Sequence, residues 1–277
     1  MSDGDAATAF APGHVTGFFS VSRADDPMRA GSRGAGVTLS AGVTVRVTPS
    51  DDTEVRLNGD RIDVESATRV LGALDATATV EAETNLPLGA GFGVSGAMAL
   101  GTAFAANAAF ARGRSENDLV SLAHAAEVEA GTGLGDVVAQ ARGGVPIRVE
   151  PGAPGHGVLD GVPAAGRIEY VSFGGLSTSE VIGGDTEALS AAGERALVDL
   201  RERPTLPHFF ELAREFSRDA ELLDGEVAAA VEAVTESGGE AAMAMLGRTA
   251  FALGTGLTEA GYDPEVCEIH AAGATLR

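Results

Sequence analysis

The sequence predicts an α+β fold in two halves. Three observations carry that prediction. Strand-like and helix-like segments alternate through the first half, a Pro/Gly-rich passage interrupts the chain at residues 152–166, and mixed strands and helices resume beyond it. The boundary falls in that passage, giving expected domains at residues 1–155 and 156–277. A length of 277 residues suits one large domain or two modest ones sharing a cleft.

In chain order, residues 8–21 read as an extended stretch broken at Pro12-Gly13. Residues 36–48 alternate apolar with small or polar side chains, as a strand does. Residues 55–57 and 60–64 flank Asn58-Gly59, a pair suited to a two-residue hairpin turn. Residues 66–74 read as a short helix and 77–83 as a strand. A Gly-rich loop at residues 87–93 opens into an alanine-rich helix over residues 95–112. Ser115, with Asp118 three residues on, gives a capping-box pattern, and Leu119, Leu122, Ala123 and Ala126 follow at helical spacing. After the run Gly131-Thr132-Gly133-Leu134-Gly135, a short helix starts near Asp136 and stops at Gly143-Gly144, ahead of a strand at 145–149. The second half reads as a strand at 168–173, helices near 187–201, 208–223 and 226–236, and a Gly-punctuated segment at 238–256.

Charge is the strongest compositional signal. The net charge is −21, and all 19 basic residues are arginine, with no lysine. Such a surface repels itself at low ionic strength, whereas at about 1 M salt the screening length falls to about 3 Å. The composition reads as adaptation to a very salty cytosol; the alternative is an ordinary acidic protein from a GC-rich organism. Nucleic-acid binding is disfavoured, since no tract supplies the basic patch that phosphate backbones need. No uninterrupted apolar stretch reaches the roughly 20 residues of a membrane span. The start has no basic segment followed by an apolar run, and the single cysteine, Cys267, builds neither an internal disulfide nor a cysteine metal site. A cytoplasmic protein is expected.

The loop before the alanine-rich helix is the most informative chemical feature. Glycine lets backbone N–H groups approach an anion, and the helix behind it aims its positive end at the same place. The same residues also suit a tight strand-to-helix turn. No Gly-Lys-Ser/Thr follows, so the loop is not a Walker A sequence.

Residues 87–97, PLGAGFGVSGA, resemble the second motif of the GHMP kinases. Residues 11–19, APGHVTGFF, look like the first motif, and residues 238–254 occupy the place of the third. Within that superfamily HVTGFF, GSRGAGVTLSAGV, TGLGDVVAQ and MLGRTAFA resemble archaeal pantoate kinases. The resemblance implies an N-terminal α/β domain and a C-terminal ferredoxin-like α+β domain with ATP in the cleft between them. It implies ATP and Mg2+ as cofactors and pantoate as the small-molecule substrate, in a protein that could pair as a homodimer. Residues Pro87, Gly89, Ala90, Gly91, Phe92, Gly93, Val94, Ser95 and Gly96 would surround the nucleotide phosphates. Three departures stand out: His14 replaces a frequent lysine, Val94 replaces the first serine of a usual pair, and the third motif lacks its glycine run.

Asp136, at a helix start, reads from sequence alone as an N-cap; the resemblance makes it the catalytic base. Glu127 and Glu129 flank the apolar stripe of their helix on opposite sides, and wheel geometry does not choose between them. The resemblance favours Glu127, with Ser95, as the magnesium contacts. A substrate that is a carboxylate with hydroxyls calls for an arginine, so Arg33 and Arg148 are candidates, with His14 and Thr16 for hydroxyl contacts and Ser32 also expected at the substrate. A homoserine or mevalonate-type kinase and a non-catalytic ligand sensor on the same fold are the alternatives; an aspartate base disfavours the sensor.

The composition yields a first prediction. The thermal unfolding midpoint is expected to rise markedly between about 0.1 M and about 2 M KCl as screening shortens; equal midpoints would remove the salt adaptation.

Overall fold

A computed structural model describes residues 6–175, 186–223 and 225–277. Two long antiparallel strands, β1 (Ala7–Ser22) and β2 (Gly31–Pro49), form its frame and pair over nearly their whole lengths. The expected break at Pro12-Gly13 is a register shift inside β1, not its end, because the strand resumes pairing at Gly13–Leu39. β3 (Glu54–Leu57) and β4 (Asp60–Arg61) make the hairpin, with Asn58 and Gly59 both at positive φ as its turn requires. Then follow α1 (Glu65–Ala73), β5 (Ala78–Glu83), α2 (Val94–Ala109), α3 (Glu116–Ala130), α4 (Asp136–Arg142), β6 (Val145–Glu150) and β7 (Val158–Val162). β2 serves two neighbours: residues 44–49 pair with β5, and Gly34–Ala35 pair with β6.

The second sheet contains β8 (Arg167–Gly175), β9 (Ala241–Ala244), β10 (Gly247–Leu253) and β11 (Glu265–Glu268). Its spatial order is β11-β8-β10-β9, antiparallel throughout. Helices α5 (Glu187–Glu202), α6 (Leu206–Asp219) and α7 (Gly225–Glu236) lie between β8 and β9 in the chain, and α8 (Gly256–Glu259) lies between β10 and β11. That is the ferredoxin-like arrangement. The chain then returns, and β12 (Thr275–Leu276) adds to the outer edge of β1.

Two readings of the sequence need correction. The division at residue 155 cuts the β6–β7 hairpin, which belongs to the first sheet along with β12. β7 escaped notice because Val158 and Leu159 are exposed, so no buried/exposed alternation marks it. The Gly-punctuated segment at 238–256 contains a regular hairpin, β9–β10.

α2 is buried along most of its length and packs on β1 and β2, where its alanines permit close approach. The two halves share one core. Phe209 of α6 lies 6.2 Å from Phe18 of β1 and 6.4 Å from Phe251 of β10, ring centre to ring centre. Among the described residues no helix is long and apolar enough to cross a membrane.

The capping box of α3 is present in both directions: Ser115 Oγ accepts from the Asp118 amide and Asp118 Oδ2 accepts from the Ser115 amide, each at 3.2 Å. Ser115→Ala is expected to cost about 1 kcal/mol in denaturant unfolding measured in molar KCl; an unchanged midpoint would show the box contributes nothing.

Candidate active site

A cavity of about 360 Å³ opens where the two sheets meet. Its walls come from Thr16 and Phe19 of β1, Ser32 of β2, the loop ahead of α2, the loop at residues 131–135, Asp136, Arg148 and the β9–β10 turn at Met245-Leu246.

The loop ahead of α2 has Gly89, Gly91 and Gly93 at φ 69°, 88° and 62°, conformations that a side chain would strain. Gly93 is the N-cap of α2, so the helix begins at the cavity wall. A Cβ on Gly91 would lie 2.8 Å from the Met245 carbonyl oxygen, so the loop is clamped beneath the β9–β10 turn. Of the residues expected at the phosphates, Gly89, Gly91, Phe92, Gly93, Val94 and Ser95 line the cavity. Pro87, Ala90 and Gly96 do not: the Ala90 carbonyl accepts from Thr249 Oγ1 at 2.9 Å, and Gly96 faces α4. Leu88, not anticipated, lines the mouth.

Asp136 is not an N-cap. Gly135 occupies that position and makes no side-chain cap, and Asp136 is the first helical residue. Oδ1 instead lies 2.7 Å from His14 Nδ1. His14 is 0% exposed and does not line the cavity, which corrects its assignment to a substrate hydroxyl. Burial lowers the pKa of His14, against the pull of Asp136. A neutral imidazole donating from Nδ1 satisfies both groups. For Asp136 burial favours the protonated acid, but the hydrogen bond from His14 and the nearby charge of Arg148 outweigh it and hold the carboxyl below its ordinary range. Its side chain remains 26% exposed, which leaves it accessible from the cavity.

Arg148 is 2% exposed, and its Nε and Nη1 have no hydrogen-bond partner among the described residues. It fits because Gly135 has no side chain: a Cβ there would collide with Ser32 Oγ and crowd Arg148 Nε. Burial lowers its pKa to about 10, so the guanidinium stays charged at neutral pH. Arg33 has a different place, correcting its candidacy. Its Nε donates to the Val149 carbonyl, its Nη1 donates to Glu194 at 2.7 Å, and its Nη2 lies 3.6 Å from Glu150. Strand alternation explains the split: Ser32 and Arg33 are neighbours on β2, so only Ser32 faces the cavity. Thr16 lines the wall as expected.

The structure also separates the two glutamates. Glu129 pairs with Arg69 on the surface at 2.8 Å. Glu127 is 2% exposed, accepting from Ser95 Oγ at 3.1 Å and from Thr132 Oγ1 at 2.9 Å. Burial pushes its pKa up to about 7, against those hydrogen bonds. Adjacent ligands of an octahedral Mg2+ with bonds of about 2.1 Å stand about 3 Å apart. Ser95 Oγ and Glu127 Oε2 already have that spacing, so the pair fits such an ion once the serine proton turns away. Among the described residues no cluster of three acidic, histidine or cysteine side chains could hold a metal alone.

Sequence reasoning missed Gly131, Thr132, Gly133 and Leu134, together with Met245 and Leu246. The glycine spacing at 131–135 was the available signal; nothing local marks the β9–β10 turn.

A family model described as the GHMP kinases N terminal domain matches residues 64–144. Pantoate kinase from Thermococcus kodakarensis is 37% identical over 88% of this chain and 86% of its own length. Pantoate kinase from Methanocaldococcus jannaschii is 33% identical, over 88% and 91% of the two chains. A solved structure described as a phosphotransferase related to the CoA biosynthesis pathway superposes with a TM-score of 0.87 at 32% identity, covering 99% of both chains.

Glu127 generates a stability prediction. The unfolded acid loses its proton near its ordinary pKa, whereas the folded one keeps it until about pH 7. Folded protein therefore binds more protons in that window, and stability falls as pH rises through it. Without divalent metal, Glu127→Gln is expected to gain about 2–3 kcal/mol over wild type between pH 5 and pH 8, read by denaturant unfolding. A constant difference would show that Glu127 titrates normally.

Proposed function

The chain belongs to the pantoate kinases of the GHMP kinase family, and from that premise we propose that it transfers the γ-phosphoryl group of ATP to pantoate, giving 4-phosphopantoate for coenzyme A synthesis. One observation carries the substrate reading: a buried, charged and unpartnered guanidinium shares a wall with an ionised carboxylate, beside a glycine-rich anion loop. Arg148 holds the pantoate carboxylate. Ser32 and Thr16 are placed for hydroxyl contacts.

With the carboxylate held, the reacting hydroxyl faces Asp136. Its oxygen attacks the γ-phosphorus, a new O–P bond forms, the β–γ bridging bond breaks, and ADP leaves. The hydroxyl proton passes to the Asp136 carboxylate. An acid held below its ordinary range is a weak acceptor, which suits a loose transition state whose proton moves late, after the nucleophile is placed. Backbone N–H groups of the loop and the start of α2 stabilise charge on the phosphates without lysine. Ser95 and Glu127 would hold a magnesium ion, which would supply positive charge that offsets the charge of the phosphates. The lysine-free surface and the absence of a membrane-crossing helix among the described residues support a salty archaeal cytosol as the working compartment.

An assay with ATP and pantoate, homoserine, mevalonate or galactose is expected to show turnover with pantoate alone. In the same assay Arg148→Met should raise the KM for pantoate about 10- to 100-fold, the range of a lost charge-assisted contact, with the KM for ATP little changed. Turnover of another acceptor in preference to pantoate, or an unchanged pantoate KM in the variant, would overturn the assignment.

A further inference from the structure

His14 touches both halves of the catalytic arrangement without reaching the cavity. Its backbone N–H donates to the Phe92 carbonyl of the glycine-rich loop at 3.0 Å. Its ring nitrogen Nδ1 lies 2.7 Å from Asp136 Oδ1. The opposite strand makes room for the ring: Gly36 has no side chain, and a Cβ there would collide with His14 Nε2. A second brace runs parallel, since Gln140, one turn along α4 from Asp136, donates from Nε2 to the Gly93 carbonyl at 2.8 Å. β1, the loop and α4 are thus tied at one point.

The ring can serve Asp136 in one orientation only. Among the described residues Nε2 has no hydrogen-bond partner, so the proton belongs on Nδ1, where Asp136 accepts it. The charged groups facing His14 are Asp136 from α4 and Arg148 from β6, Glu127 from α3 faces Asp136, and burial disfavours a second positive charge beside Arg148.

We propose that His14 is the positioning residue of the phosphoryl transfer: its neutral Nδ1–H fixes Asp136 Oδ1 and thereby aims Oδ2 at the substrate hydroxyl. The role usually open to a lysine at this point of the chain is replaced by a fixed dipole that never meets substrate. The inference rests on the reading of Asp136 as proton acceptor.

Asparagine and glutamine provide the test. An asparagine amide nitrogen lies as many bonds from Cβ as Nδ1 does, while a glutamine amide nitrogen matches Nε2. His14→Asn is therefore expected to keep more than about a tenth of wild-type kcat, and His14→Gln to lose on the order of 100-fold, the scale of a misplacement of about 1 Å. KM values for pantoate and ATP should stay within about threefold in both. Added to Asp136→Asn, which itself should lower kcat by about 10²-fold or more, His14→Gln should cost nothing further, because it acts through that carboxylate. Equal losses in the two His14 variants, a rise in pantoate KM in place of the fall in kcat, or additive losses in the double variant would overturn the proposal. A nearly silent Asp136→Asn would instead remove the underlying role of Asp136. Ring 15N shifts of His14 in the wild-type protein give a reading that needs no variant to fold. The Nδ1–H tautomer is expected, and the Nε2–H tautomer would refute the proposal.

Discussion

A buried guanidinium left partly unsatisfied by the described residues is the constraint around which the rest of the site is arranged. Arg148 is held on a sheet strand, shielded from water, with two of its nitrogens unsatisfied. Such a group destabilises the free protein and becomes satisfied when an anion arrives. Its neighbours follow from it. Gly135 has to be bare, His14 is kept neutral, and Asp136, the first residue of a helix, is kept ionised. The Asp136 carboxylate is thus held in its charged form.

Much of the fold was legible because it depends on local rules. The Asn58-Gly59 turn, the Ser115–Asp118 capping box and the glycine loop ahead of a helix each need only a few neighbouring residues to specify them. Among the strands that escaped, β7, β11 and β12 are short and largely exposed, so burial does not stamp a pattern on them, while β9 and β10 are buried on nearly every residue and so show no alternation either. The site was legible to the same degree. Residue types at loop glycines and at Asp136 pointed to the right region, whereas Arg33 and Arg148 looked alike as letters. The difference lies in which face of a strand each occupies and in a glutamate 161 positions away in sequence from Arg33. His14 was drawn toward substrate for the same reason: the sequence shows a histidine in a motif but not the helix start that closes over it.

The acidity of the chain has a structural counterpart. With arginine as the only strong cation, the ion pairs among described residues use guanidinium forks, as in Arg33 with Glu194 and Glu150, or Arg167 with buried Glu169. A planar fork can satisfy a carboxylate and a backbone carbonyl together, as Arg33 and Arg214 both do.

The return of β12 to β1 bears on the order in which the chain can assemble. Thr275 and Leu276 pair with Phe10 and Ala9, and Arg277 covers the Phe10 ring. The smaller sheet is therefore an insertion within the larger one, and during synthesis the outer edge of β1 stays unpaired until residues near 275 have emerged. An uncovered edge strand is a template for intermolecular pairing. A circular permutation opening the chain between β7 and β8, with residue 277 joined to residue 6, would make the larger sheet contiguous and shorten that exposure.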